Sequence, residues 1–367
     1  MPPRLHITGD DEEPDQTVIE YFQDEDFDVT YLPRGNGGKA YRENLKSFGR
    51  DLELGESYAV VAFGKAASDC LDFFIKPQPH LAAMVAYYPT SLDPKAKYPS
   101  QLNVLAHIAG SQGFAPAFPS YTYQGAKPGF AEHDLEEYNK VAASLAWTRT
   151  LSVLRKAFKI EVDLEKVRGE HIGLEYTKKD AAGLMKHMVA RPYVTNVPTM
   201  TGGVGQKELF LFYRDYFKNP PSLRMKLVSR TIGVDRVVDE MIISFKHTEE
   251  VPWILSGVPA TEKMVHVALV SILCIRGGKI HHEQLYWDQA SVLVQVGLLD
   301  PKLVPDSMKK RGLKRLPVLG AETAAKVLDE ESHPSNELIP SWRDRPRGDP
   351  GALPSRPKQS ANSAGSG

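Results

Sequence analysis

The hydrophobic pattern of this chain changes period once, near residue 160, and no other feature constrains its fold as strongly. Upstream, the short apolar runs Tyr58–Phe63, Ala82–Tyr87 and Leu102–Ala109 are continuous, as strands covered on both faces must be. Leu5–Thr8 and Asp28–Leu32 read as two further strands with a helix between them, around Gln16–Phe22. Leu135, Tyr138, Val141, Leu145, Thr148, Leu151 and Leu154 recur at helical spacing and predict one long helix from Asp134 to Phe158. Downstream, Asp163 can cap a helix running to about Val189, where Arg191-Pro192 ends it, and a second helix covers Glu208–Phe217. Long period-2 segments follow at Arg224–Ile232, Val234–Thr248, Met264–Ile275 and Lys279–Asp288, the last two joined by a Gly277-Gly278 hairpin turn. The pattern predicts an α/β domain with a parallel sheet, then an α+β domain with a curved antiparallel sheet.

The chain is long enough for two cores, at 367 residues. With 45 Lys and Arg against 46 Asp and Glu, no overall basic excess points to nucleic acid or an acidic membrane as partner. Cys70 and Cys274 lie in apolar patterns and read as buried thiols of a reducing compartment. The N-terminus lacks an apolar signal region and no window reaches membrane-spanning length, so the expected location is cytoplasmic. Expected domain bounds are 1–160, 161–305 and a C-terminal extension, 306–367, with disorder from about 343. The basic run Met308–Arg315 reads as a solvated loop, with a nuclear localisation signal as the alternative.

In the first half, Val60–Ala67, Val104–Gly110, Tyr123–Phe130 and the helix around Ala146–Leu151 resemble the dienelactone hydrolase family of the α/β-hydrolase fold. The resemblance implies a truncated hydrolase-like domain whose triad is missing. Gly64 stands where the family has its nucleophile, Ser111-Gln112-Gly113 follows the strand that should lead to the acid, and Pro128 replaces the histidine. Ser68, Cys70 and His133 lie near enough to form a shifted set, and ester or lactone hydrolysis stays open on that ground.

Residues 164–300 resemble the SnoaL-like polyketide cyclases, of the cone-shaped fold shared with nuclear transport factor 2 and ketosteroid isomerase. The likeness is carried by Val197–Gly203, Thr231–Gly233 with Val238–Glu240, Ser244–Thr248, Gly257–Lys263, Gly278–Gln289 and Leu293–Leu299, the last typical of fungal members. The resemblance implies a bent sheet around a helix and a small-molecule pocket on the concave face.

Period 2 sets His282, Gln284, Tyr286 and Asp288 on one face of the last strand and His281, Glu283, Leu285 and Trp287 on the other; either set could line the pocket. His266 shares a face with Ala268, Val270 and Ile272, whereas Asp239, Met241, Ile243, Phe245 and His247 lie together. Proton transfer beside a carbonyl needs a base near neutrality and a donor for the enolate oxygen. The candidates are His247, His266 and His282 as base or acid and Asp288 as orienting group or alternative base, with Tyr193, Tyr286 and Trp287 as substrate contacts. Each has a plain structural alternative: a loop or capping residue at His247, a satisfied core imidazole at His266, a surface imidazole beside a strand-edge carboxylate at His282, a helix cap at Asp288. No metal is expected, because neither His-x-His nor His-x-x-x-His spacing occurs, and no dinucleotide fingerprint suggests an organic cofactor.

The expected activity is cofactor-free cyclisation, isomerisation or dehydration of a polyketide-like or aromatic small molecule. A non-catalytic ligand-binding or scaffold protein is the alternative of a different class. A homodimer is among the assemblies this fold allows.

Overall fold

The computed structural model describes residues 2–343. Its first half is a six-stranded, wholly parallel sheet in the order β2-β1-β3-β4-β5-β6, made from Arg4–Gly9, Asp28–Pro33, Tyr58–Phe63, Leu81–Tyr87, Asn103–Ala109 and Ser120–Tyr123 as β1 to β6. One face carries α1 (Gln16–Asp24) and α4 (Lys140–Phe158), through Val18, Phe22, Ala146, Trp147 and Leu151. The other carries α2 (Gly38–Ser47) and α3 (Gly64–Phe73), through Tyr41, Leu45, Ala66, Cys70 and Leu71. Covering on both faces is why these strands read as uninterrupted apolar runs. Asn139 caps α4 by accepting from the Ala142 N–H, so the long helix starts six residues later than its periodicity suggests.

The second sheet is mixed, in the order β8-β7-β12-β11-β10-β9. It comprises β7 (Met188–Asn196), β8 (Thr201–Val204), β9 (Arg224–Ile232), β10 (Arg236–Lys246), β11 (Met264–Arg276) and β12 (Lys279–Trp287). β12 pairs with β7 in parallel, which corrects the expected purely antiparallel sheet. The single helix expected over 163–189 is three pieces: α5 (Leu164–Ile172), a π-helical turn (Gly173–Lys178) and α6 (Ala181–Lys186). Lys179 turns left-handed, and Asp180 accepts from the Gly183 N–H to start a new helix. Arg191-Pro192 then falls inside β7, where the β7–β12 register shifts between Met188 and Tyr193; a strand tolerates proline at such an irregularity. α7 (Gln206–Leu211) and a second π-helical turn (Phe212–Tyr216) occupy the place of the other expected helix.

Residues 2–289 form one compact unit containing both sheets, and a second unit starts at Ala290. In the second, Ser291 donates to the Gly320 carbonyl, and the residues from Lys309 to Arg315 are almost all exposed. The tail expected to be disordered from about 343 falls, past Arg343, outside the described residues. Among the described residues no helix is long and apolar enough to cross a membrane. Both cysteines are free and buried.

Candidate functional site

A cavity of about 280 Å³ opens where α1 and α4 of the first sheet meet the β11–β12 hairpin and β7 of the second. Its apolar wall is Val18, Phe22, Phe63, Tyr87 and Trp147; its polar wall includes His133, Lys140, Arg191, Tyr193, Arg276, His281 and His282. His281 and His282 are consecutive yet face the same space, contrary to strict period 2. The register explains it: Cys274 pairs with His282 and Ile275 with Ile280, so His281 is an extra residue in a β-bulge. Both imidazoles turn to one side, with their Nδ1 atoms 2.8 Å apart. The His282 ring stacks on Tyr193, its cross-strand neighbour on β7, at 4.6 Å between centroids and 7° between planes.

Two cations of this cleft, Arg276 and Lys140, lie over rings rather than against carboxylates. Arg276 stands 4.4 Å above Tyr21 and 5.3 Å from Trp147, Lys140 stands 4.5 Å above Tyr193, and neither forms an ion pair among the described residues. Arg276 is 8% exposed, yet its Nε finds no hydrogen-bond partner among the described residues. Burial and this positive surround push His282 down to about 4 and His281 to about 2, so both rings are neutral at pH 7. Burial also holds the Cys274 thiol up, near 11. The outcome is an aromatic slot with uncompensated cations and two neutral imidazoles, suited to a planar anion.

Two further acid–base groups lie near this cavity: His133, which the sequence offered only for a shifted hydrolase set, and Glu132, which it did not single out. His133 Nδ1 lies 3.0 Å from Asp15 Oδ2, and the same oxygen accepts the His133 backbone N–H. Burial alone would raise Asp15, but the hydrogen bonds from His133 outweigh it and hold the carboxyl below its usual range. Next to it, burial pushes Glu132 up to about 7, and the Tyr88 hydroxyl donates to its Oε1. Both groups sit in an irregular connection with no periodic pattern to single them out.

The sequence-derived candidates do not gather at one point. His282 and Tyr193 meet in the cleft. His266 is paired with Ser244 across the strands, 2.9 Å between Nδ1 and Oγ, on the face opposite the helices. His247 is buried at the end of β10, with Nδ1 3.0 Å from Thr261 Oγ1, and burial lowers its pKa. Asp288 and Tyr286 are exposed, while Trp287 is buried edge-on to Trp253.

The helix-covered face of the sheet is lined by the other set, Glu283, Leu285 and Trp287. It holds a buried ionic network. Arg168 from α5 donates to Asp239 Oδ2 at 2.9 Å, to Glu283 Oε1 at 2.9 Å and to Ser271 Oγ at 3.1 Å. Arg230 binds both oxygens of Asp239, at 2.7 and 3.1 Å. Burial would raise Glu283, but Arg168 and His171 hold it near 2, whereas burial and the Glu283 charge drive Glu175 far above the carboxylate range.

At the hydrolase-like turn, Gly64 takes φ +60° directly after β3 and presents no side chain. The Asp10 carboxylate occupies the adjoining helix N-terminus, accepting the Lys65 and Ala66 N–H groups at 3.0 Å each. Cys70 is buried against Tyr41 with its thiol pushed up to about 12, and Ser68 bonds Thr90 and the Ser91 N–H. His107, fully buried in this half, is held between Tyr123 and Thr150. No Ser or Cys pairs with an imidazole through a hydrogen bond in this half, among the described residues.

No protein-family model matches this chain, and no curated protein does. Among solved structures the chain is similar to TsrD from Streptomyces laurentii, at 20% identity over 38% of this chain and 100% of that one, with a TM-score of 0.31. A candidate SnoaL-like polyketide cyclase from Jannaschia sp. CCS1 matches at 16% identity over 38% of this chain and 99% of its own, TM-score 0.32. A protein with a ketosteroid isomerase-like fold from Catenulispora acidiphila DSM 44928 matches at 17% identity over 35% and 89%, TM-score 0.27. Structures bearing SnoaL-like and ketosteroid isomerase-like names are thus similar to rather more than a third of this chain.

Proposed function

We propose that the protein takes a planar, anionic small molecule of aromatic or polyketide-like character into the cleft between its two sheets and moves a proton on it without a cofactor. The observation that carries this reading is the stacked His282–Tyr193 pair beside cations that have no carboxylate of their own. Burial is the larger cause of the lowered His282 pKa, and an anion seated on Arg276 and Lys140 offsets the cationic share of it, so the ligand raises the proton affinity of the ring. The ligand would thereby create the base that acts on it, with Tyr193 as the hydroxyl donor to an enolate oxygen. Reactions of this kind include cyclisation, isomerisation and dehydration. In this reading the first sheet contributes walls and a cation-bearing helix rather than a nucleophile.

The test is deuterium exchange, followed by NMR in D2O, at the carbon next to the carbonyl of an aromatic β-keto carboxylate, alongside a binding titration. The wild-type chain is expected to accelerate exchange and His282→Asn to lose it while still binding. Arg276→Gln is expected to weaken binding roughly tenfold, and the neutral amide analogue should bind no better to wild type than to that variant. Saturable binding without exchange would leave a ligand-binding protein, and binding indifferent to the probe's charge would end the reading.

A further inference from the structure

Behind the helix-covered face of the second sheet, away from the cleft, three potential ligand atoms converge. His171 Nε2 lies 3.4 Å from Glu283 Oε2 and 3.7 Å from Glu175 Oε2. The three atoms fall within 4.8 Å of one another. Two of the residues sit one turn apart, across the junction of α5 with the π-helical turn, and the third comes from β12. Bonds of about 2.0–2.2 Å around a tetrahedral centre separate the ligand atoms by about 3.4 Å, close to the two spacings observed.

The surroundings leave these atoms for one another. Glu283 Oε1 is already taken by Arg168 Nη1 and by the Ser271 hydroxyl, at 2.9 and 2.6 Å, so Oε2 is its remaining oxygen. Asp239 is shared by Arg168 and Arg230. Three buried carboxylates, Glu175, Asp239 and Glu283, thus face two guanidiniums, with the exposed Glu165 on the outer side of Arg230. One negative charge is left without a fixed counterpart in a place where water is excluded, and such a charge must be met by a proton or a cation.

A second feature points to a ligand. Tyr213 is 8% exposed and its hydroxyl adjoins Glu175, yet it has no aligned hydrogen-bond partner among the described residues. It is a further buried oxygen beside Glu175. π-helical turns of this kind commonly re-aim side chains at functional sites, and here the turn carries Glu175 inward.

We infer that His171, Glu175 and Glu283, with Tyr213 as fourth neighbour, form a buried site for a divalent transition-metal ion. One imidazole and two carboxylates suit zinc, iron(II) or manganese(II) better than calcium or magnesium, which prefer all-oxygen sets. The ion would tie α5 and the π-helical turn to β12. Cys274, His281 and His282 form a rival cluster within the same 4.8 Å limit. Arg236, Arg276 and Lys140 face that cluster and repel a cation, while its thiol is held protonated.

The deciding experiment is elemental analysis of the purified full chain, followed by chelator treatment and titration with Zn2+, Mn2+, Fe2+ under anaerobic conditions, and Co2+. About one equivalent per chain is expected, with affinity falling roughly 100-fold or more in Glu175→Gln and unchanged in Cys274→Ser. Should Glu175→Gln fail to fold, the Co2+ spectrum of the wild-type chain decides: visible d–d bands without thiolate charge transfer support the site. Thiolate charge transfer, retention of metal by a folded Glu175→Gln, or no stoichiometric binding of any of the four ions would overturn it.

Discussion

The reactivity of His282 is set by its neighbours. Its folded pKa of about 4 lies below the ordinary 6.5, so the stability that depends on its neutral form is complete above pH 6.5 and declines as pH falls toward 4. The groups responsible, after burial itself, are Arg236, Arg276 and Lys140. A ligand anion placed among them offsets their share of the shift, so binding should be accompanied by partial proton uptake. For an aromatic sulfonate, ionised throughout, calorimetry in buffers of different ionisation enthalpy should register net proton uptake near pH 6, and affinity should rise as pH drops from 7.5 to 5.5. A flat affinity over that range would remove His281 and His282 from the site. Glu132 has the opposite sign. Its folded pKa near 7 exceeds the ordinary 4.5, so the fold is penalised progressively as pH rises from 4.5 through 7. Glu132→Gln can still accept from Tyr88 through its amide oxygen and lacks that penalty. Denaturant unfolding should show it matching wild type at pH 4 and exceeding it at pH 8 by up to about 3 kcal/mol. Equal stability gaps at the two pH values would mean Glu132 is not held protonated.

At the level of elements, what the sequence disclosed depended on regular period. Tyr58–Phe63 is β3 residue for residue, because it keeps one pattern from end to end, and Arg224–Ile232 is β9 despite a register shift opposite Glu240 and Met241. The features that make the sites are departures from period. The bulge at His281 places two neighbours on one face, and the π-helical turn brings Glu175 beside His171 where an unbroken helix over 163–189 was expected. The partnership of Arg168 with Glu283 spans 115 residues and has no local signature. The N-terminus of α3 is another such departure, since Asp10 reaches 55 residues forward to accept from Lys65. A hydroxyl placed at Gly64 would therefore arrive at a turn whose anion-binding N–H groups are already engaged, with its Cβ 2.6 Å from Asp10 Oδ2. Gly64→Ser should fold, because a carboxylate at the end of a side chain can move aside. It should hydrolyse an activated aryl ester no faster than wild type. Turnover that also disappears on removal of His133 would restore the hydrolase reading.

Across the whole of residues 2–289, the cleft depends on how the two sheets dock, since no single half supplies both the Phe22–Phe63–Trp147 wall and the His281–His282 pair. The docking is polar and close. Glu25, at the end of α1, accepts from Arg155 at 2.7 Å and from the Gly277 N–H at 3.0 Å; Arg155 also donates to the Val234 carbonyl, and Thr148 donates to Asp235 at 2.9 Å. Gly277 and Gly278 both have positive φ, +53° and +68°, in the β11–β12 turn, so either substitution by alanine carries a left-handed backbone cost of about 1 kcal/mol. Only one of them meets the opposite half. A Cβ at Gly277 would stand 2.3 Å from the Asp24 carbonyl oxygen, a backbone atom that cannot swing away, whereas a Cβ at Gly278 meets nothing within 4 Å. The pair separates turn strain from docking. Gly278→Ala is expected to lose about 1 kcal/mol and keep its affinity for the anionic probe. Gly277→Ala should lose about 2–4 kcal/mol and bind the probe at least tenfold more weakly, as the hairpin backs away from α1 and carries Arg276, His281 and His282 with it. Equal stability and equal affinity in the two variants would mean that the seam does not hold the cleft together, and the imidazoles would then act, if at all, from the second sheet alone.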